Sequence, residues 1–358
     1  MRPPEGPTDR RALAQALALG AIGGSIFAWF GFPLAWMLGA MAFTTVAAVA
    51  GVRVKVPNKF RTYFVAVLGL LLGSAFTPDL LGEAGRIAIA LAVQAGFVVF
   101  ATATSFVIYL RVGGYDKVTS YFSATPGGFS EMTLIGDSLG GDVPTISLNH
   151  AVRILIVVCI IPFYFRYVQG VAVPSAPATG TMAALGLDDV LILGACGVAG
   201  YFLAKRLHLP AAALIGPLFL SAAVHLAGLT SSSVPSEAAA VAQLVVGASI
   251  GGRFAGVTLS QVFRIAWLAV LTSLISIAAA IAVAEAVSLF TSLNLTTLFL
   301  GLAPGGLAEM SLIALALGID TAFVTVMHFF RVATVMLLAP QAFRLVPGAN
   351  PSAPASGD

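Results

Sequence analysis

Residues 125–132 read Thr-Pro-Gly-Gly-Phe-Ser-Glu-Met, and residues 303–310 read Ala-Pro-Gly-Gly-Leu-Ala-Glu-Met. The phrases stand 178 residues apart, Pro304 against Pro126, and the correspondence extends well beyond them. Upstream, Gly69, Gly73, Phe76 and Arg86 match Gly247, Gly251, Phe254 and Arg264. Downstream, Gly140, Asp142, His150, Arg153, Pro162 and Arg166 match Gly318, Asp320, His328, Arg331, Pro340 and Arg344. From 126 to 166, 16 of 41 positions are identical. With one residue less of offset, Gly20, Gly23, Pro33 and Gly39 fall on Gly197, Gly200, Pro210 and Gly216. Self-similarity at a fixed spacing marks a repeated architecture. The chain is therefore a tandem duplication. A first repeat covers 12–168, a linker 169–182, a second repeat 183–346, and a Pro/Ser/Ala tail over 347–358 reads as disordered.

The sequence around the motif is apolar. Of 358 residues, only 18 are Lys or Arg and 15 Asp or Glu, 9% together, where a soluble domain carries about 25%. Hydrophobic residues make up 59% and mean hydropathy is +0.99. That leaves too little polar side chain to cover a water-facing surface, so a soluble enzyme and a nucleic-acid-binding domain are both excluded. The net charge of +3 comes from basic residues in short loops between apolar runs, with no basic patch interleaved by aromatics. Each repeat has six apolar runs, and a spanning helix needs about 20 residues. The expected fold is an all-α polytopic membrane protein. It has two tandem repeats with about ten spanning helices, plus two Pro-Gly-Gly segments that break or re-enter. The run after Arg10-Arg11 resembles a secretory signal, but 183–204 repeats it inside the chain, so it reads as a helix of the repeat.

Charge placement sets the direction of the repeats. With Arg10-Arg11 in the cytoplasm, Arg53, Lys55, Lys59 and Arg61 return there after two crossings, and Arg111 and Lys117 after two more. In the second half, Lys205-Arg206 follow the first segment rather than precede it. The positive-inside rule is met only if that half begins outside, near Asp188-Asp189. An odd number of crossings then separates the halves, so one of six segments does not cross and the repeats are inverted. The segment with Pro-Gly-Gly is the candidate: residues 129–139 span about 16 Å, half of a roughly 30 Å core. A re-entrant hairpin and a broken crossing are both open; charge balance favours the hairpin, with Arg166, which then falls outside, counting against it. Gly140 and Gly318 stand as helix-ending glycines, Asp142 and Asp320 as N-caps, and Gly69-x3-Gly73 and Gly247-x3-Gly251 as close-packing faces.

Paired Gly/Pro-interrupted segments in corresponding positions of two halves point to a transporter site. Pro126, Gly127, Gly128, Pro304, Gly305 and Gly306 are the expected substrate-binding backbone, with Ser130 beside them. Glu131 and Glu309 lie in the first turn after the glycines. They serve there as caps or as carriers of a coupling proton or cation, since an ionisable group at membrane depth is costly. His150 with Arg153, and His328 with Arg331, share a helix face at i, i+3. The arginines are expected to attract an anion and the histidines to join the coupling. Ser130 matches Ala308 and Asn149 matches Met327, so the first copy holds more polar contacts and Arg153 is expected to be the more sensitive arginine. Cys159 and Cys196 lie in apolar runs as packing residues. No metal site, cofactor or enzymatic centre is expected.

The doubled P-G-G-x-x-E-M with D-x7-H-x-x-R downstream resembles the AbrB membrane protein family, whose members consist of two copies of one repeat. The resemblance covers nearly all of residues 12–345. The family's labels disagree: a membrane regulator of gene expression, and an ammonia monooxygenase. A copper oxygenase needs a histidine-rich constellation, and this chain has four histidines. Direct regulation on DNA needs a soluble basic module, which the sequence lacks. The function expected from the residues is a secondary transporter of a small anionic metabolite in the bacterial inner membrane, coupled to a proton or cation. Its partners are the lipid bilayer and its substrate, not nucleic acid, and a homo-oligomer is compatible with the sequence. An indirectly acting membrane regulator and a membrane monooxygenase are the alternatives.

Overall fold

The computed structural model describes residues 10–170, 185–257 and 259–347, without the side chains of residues 79, 81, 130 and 259–262. The linker expected over 169–182, beyond Gly170, and the tail expected over 347–358, beyond Pro347, lie outside the described residues. Every regular element among the described residues is helical. The first repeat supplies α1 (Arg10–Trp29), α2 (Ala35–Val49), α3 (Asn58–Gly73), α4 (Ala84–Arg111), α5 (Lys117–Ala124), α6 (Phe129–Ser138) and α7 (Val143–Phe163). The second supplies α8 (Leu187–Arg206), α9 (Ala212–Leu226), α10 (Ser236–Gly251), α11 (Leu259–Phe290), α12 (Leu295–Leu302), α13 (Leu307–Ala316) and α14 (Thr321–Phe343). Six helices are long and apolar enough to cross a bilayer, and the chain is a polytopic all-α integral membrane protein.

The helices group into two compact units, and each unit draws on both repeats. The first holds α1–α3 and α8–α10; the second holds α4–α7 and α11–α14, less residues 315–317.

In the first unit, glycines bring backbones together and fix the helix directions. A side chain on Gly69 would strike the Leu214 carbonyl, and one on Gly73, a turn later, would meet Leu218 and Ser221. So α3 and α9 run the same way. Gly247 against Met37, and Gly251 against Met41 and Thr44, show the same for α10 and α2. These are the small-residue faces the spacing predicts. α1 opposes α2, since Gly20 meets Ala40 and Gly24 meets Trp36. The Lys55 amide donates to the Ala12 carbonyl (3.4 Å) at the start of α1, so α3 sets out from the end where α2 finishes and runs against it. α9 follows α3 and therefore opposes α2, its own repeat-equivalent. The repeats are inverted.

The inversion sorts the charges of this unit. α8 and α9 are antiparallel, with Gly200 against Gly216, which places Arg206 at the end where α3 begins. Arg10, Arg11, Lys55, Lys59, Lys205, Arg206 and Arg253 gather at that end. Asp188, Asp189 and Glu237 stand at helix starts of the other. This is the asymmetry of the positive-inside rule.

In the second unit α4 and α11 are antiparallel: Tyr109 bonds Thr272 (2.9 Å), Gly113 abuts Leu268, and Arg86 donates to the Ser292 carbonyl (2.8 Å). Equivalent helices again oppose each other. The Pro-Gly-Gly segments are re-entrant hairpins. A side chain on Gly136 of α6 would meet the Phe122 side chain of α5, and the Asp142 amide closes the base on Thr119 Oγ1 (2.8 Å). In the second copy α14 touches both arms, His328 reaching Leu300 on α12 and Thr325 reaching Ser311 on α13. Arms of eight and ten residues span about 12–15 Å, half a bilayer core.

Candidate functional site

The hairpins owe their shape to proline. The carbonyl four residues before a proline loses its helical donor, because proline has no N–H. Pro126 orphans the Phe122 carbonyl, and Pro304 orphans that of Leu300. Each is taken by the histidine of its own repeat: His150 Nε2 lies 2.8 Å from Phe122 O, and His328 Nε2 lies 3.0 Å from Leu300 O. A carbonyl only accepts, so each ring carries its proton on Nε2. The histidines predicted to take part in coupling thus stand as struts that pin each hairpin to the following helix.

The glycines have separate tasks. A side chain on Gly127 would overlap Met132 and Val335, and one on Gly305 would overlap Met310, so the first glycine admits the motif's methionine beneath the tip. A side chain on Gly128 or Gly306 would land on an oxygen of Glu131 or Glu309. Each glutamate folds back over the glycine that starts its helix, in the position of a capping carboxylate. Glu309 is 8% exposed and Glu131 half-buried. Among the described residues neither glutamate forms an ion pair with an arginine, whereas Glu83 pairs with Arg86 (3.0 Å).

The equivalent arginines do different work. Arg331 donates Nη1 to the Ala303 carbonyl (2.6 Å) and Nη2 to that of Gly305, closing the second tip. Arg153 donates Nη2 to His150 Nδ1 (2.8 Å), and its Nε is buried with no hydrogen-bond partner. Arg153 lines a small cleft with Pro126, Pro304, Ser123, Ala124 and residues of α4 and α11. From α4 come Ala101, Ser105 and Tyr109, and from α11 come Thr272 and Ser276.

Of the residues expected at a site, the cleft gathers Pro126, Pro304 and Arg153. Gly127, Gly128, Gly305 and Gly306 shape the tips, while Glu131, Glu309, His150, His328 and Arg331 stand outside the lining. The side chain of Ser130 lies outside the described ones. Asp320 caps α14 through the Phe323 amide (3.0 Å). Asp142 instead accepts from the Thr145 hydroxyl in the first turn of α7 and caps no backbone N–H of that helix. Gly140 and Gly318 take positive φ, 84° and 65°. Among the described residues no group of three or more His, Cys, Asp or Glu comes together.

Sequence reasoning missed Ser105, Tyr109, Ser123, Thr272 and Ser276. It also missed the caps of the first arms, Asp116 on Thr119 N (2.9 Å) and Asn294 on Thr296 N (2.9 Å), which are themselves one repeat apart.

Residues 36–347 match the family described as AbrB, Transition state regulatory protein AbrB. The chain belongs to that family. It is 29% identical over 369 residues to Uncharacterized protein YhjN of Bacillus subtilis (strain 168), covering 92% of each chain. It is 22% identical over 319 residues to Putative regulator AbrB of Escherichia coli (strain K12), covering 88% of this chain and 90% of that one. The AbrB resemblance read from the doubled motif is thereby established for most of the sequence.

Proposed function

We propose that this AbrB-family protein is a secondary transporter of a small anion, working in the bacterial inner membrane and coupled to a proton or cation. The observation that carries the reading is the meeting of two inverted re-entrant tips at a polar cleft holding Arg153. Non-helical backbone at membrane depth is tolerated where it lines a cavity or is buried in protein, and opposed interrupted segments are how transporters build a midplane site. Helix starts at the glycines and the Arg153 guanidinium favour an anion. Glu131 and Glu309, next to the tips, are the coupling groups, and their carboxylates take up the counter-charge.

The test is uptake of labelled anions into proteoliposomes, with and without an inward proton or sodium gradient. Gradient-dependent uptake that is lost in Glu131→Gln and Glu309→Gln, with folded protein retained, supports the reading. Gradient-dependent uptake that persists unchanged in both variants removes coupling from the glutamates. The name of the Escherichia coli relative favours a second reading, a membrane-embedded regulator acting indirectly. It requires a stable protein partner, and co-purification from native membranes separates the two.

A further inference from the structure

The hydroxyl lining of the cleft is not repeated. At the one-repeat offset, Ser123 becomes Gly301, Tyr109 becomes Val287, Ser105 becomes Val283 and Ser276 becomes Val98. Arg331 is committed to two carbonyls of its own hairpin. The equivalent region of the second repeat has therefore lost these hydroxyls, with the buried Gln94 in place of Thr272, and both Nη groups of its guanidinium are occupied while its Nε is buried without a partner. In the first, two polar groups lack partners: Arg153 Nε is buried and unpaired, and the Ser123 hydroxyl is unpaired at 1% exposure. The other polar wall is already engaged. Thr272 gives its proton to the Leu268 carbonyl (3.0 Å), so Tyr109 donates to Thr272.

From this, and resting on the transporter reading above, we propose that the protein has one anion seat, in the first repeat, and that it takes a short-chain monocarboxylate. The carboxylate bonds Arg153 and accepts from Ser123. The tail lies against Ala101, Ala124 and the two prolines. Arg153 is the one cationic side chain in the wall. A second carboxylate on the ligand would thus be desolvated beside alanine and proline without a counter-charge, which is strongly unfavourable. The walls leave open space for little more than a water molecule, so the ligand enters as the tips separate and its tail is limited to a few carbons.

The probes are sodium acetate, propionate, butyrate and succinate at fixed ionic strength, with the full chain in detergent. Binding is read by calorimetry and by the rise in unfolding temperature that a native-state ligand gives. Propionate is expected to bind saturably and succinate far more weakly. Loss of a hydrogen bond to a charged group weakens binding by about tenfold, which is the change expected for Ser123→Ala. Arg153→Lys should lose at least as much, and Ser123→Ala keeps the question answerable if that variant fails to fold. Succinate binding above propionate, or propionate affinity unchanged in Ser123→Ala, overturns the proposal. If propionate binds with these sensitivities but proteoliposomes do not accumulate it, the seat stands and the transport reading falls. If another anion is accumulated and no monocarboxylate binds, the seat falls and transport stands.

Discussion

Arg331 donates to the carbonyl of Gly305, the first glycine of its own repeat's motif, whereas Arg153, its equivalent, turns to His150 and the cleft. One gene duplication has thus produced a clamp and a candidate ligand group from the same residue. The difference follows from the surroundings. Around Arg153 the neighbours on α4, α5 and α11 are hydroxylated; at the equivalent positions around Arg331, Ser105, Tyr109, Ser123 and Ser276 give way to valine or glycine and Thr272 to Gln94.

Lysine in place of each arginine should therefore do opposite things. Arg331→Lys keeps the charge but cannot span two carbonyls with one planar fork. Each charged hydrogen bond lost costs about 1.5–3 kcal/mol, so the unfolding temperature in detergent should fall clearly. Arg153→Lys should unfold near the wild-type temperature and show its loss in anion binding. Equal destabilisation of both variants would contradict the division of labour.

The inverted first unit makes a prediction about sidedness. Single cysteines at Lys55 and Arg206 should react with an impermeant maleimide from one face of the membrane, and cysteines at Asp189 and Glu237 from the other. The background is a chain lacking Cys159 and Cys196. Opposite labelling of Lys55 and Arg206 would contradict the helix directions read from Gly69, Gly73, Gly247 and Gly251.

Much of this was readable in advance, for identifiable reasons. The inversion was legible because Lys205-Arg206 follow α8 while Arg10-Arg11 precede α1, and charge placement is a direct record of crossing number. The hairpins were legible because proline and glycine leave no alternative to a break. The choice between re-entry and crossing was not, because it depends on Gly136 meeting Phe122, a contact with no sequence period. The cleft was missed because Tyr109 and Thr272 are 163 residues apart and neither is kept in the other repeat, so a search for identities passes over them. The two packed units escaped notice as well. The duplication runs along the chain, but α2 finds its glycine partner on α10 and α9 finds its own on α3.

The second glycine of each motif should be as sensitive as the glutamate it carries. Gly306→Ala places a methyl group on a carboxylate oxygen of Glu309 and should reduce both stability and uptake. Adding Glu309→Ala removes the colliding group, so the double variant should be more stable than Gly306→Ala alone while remaining inactive. A double variant no more stable than the single one would mean that the glycine serves the backbone and not the glutamate.

The strut formed by histidine and proline can be tested by restoring what proline removed. His328→Leu leaves the Leu300 carbonyl buried without a donor, at a cost of about 1–3 kcal/mol. Pro304→Ala supplies an N–H four residues along from that carbonyl, the ordinary helical donor. If the histidine exists to answer the proline, the two changes are coupled: Pro304→Ala should recover part of the stability lost in His328→Leu. Contacting residues of one network show interaction energies of about 0.5–3 kcal/mol, large enough to resolve by unfolding temperature in detergent. His150 and Pro126 should behave alike at the Phe122 carbonyl, with one addition: His150 also accepts from Arg153. His150→Leu should therefore disturb anion binding as well as stability, whereas His328→Leu should disturb stability with little effect on binding. Purely additive effects at both pairs would show that the histidines hold the hairpins for a reason other than the missing proline N–H.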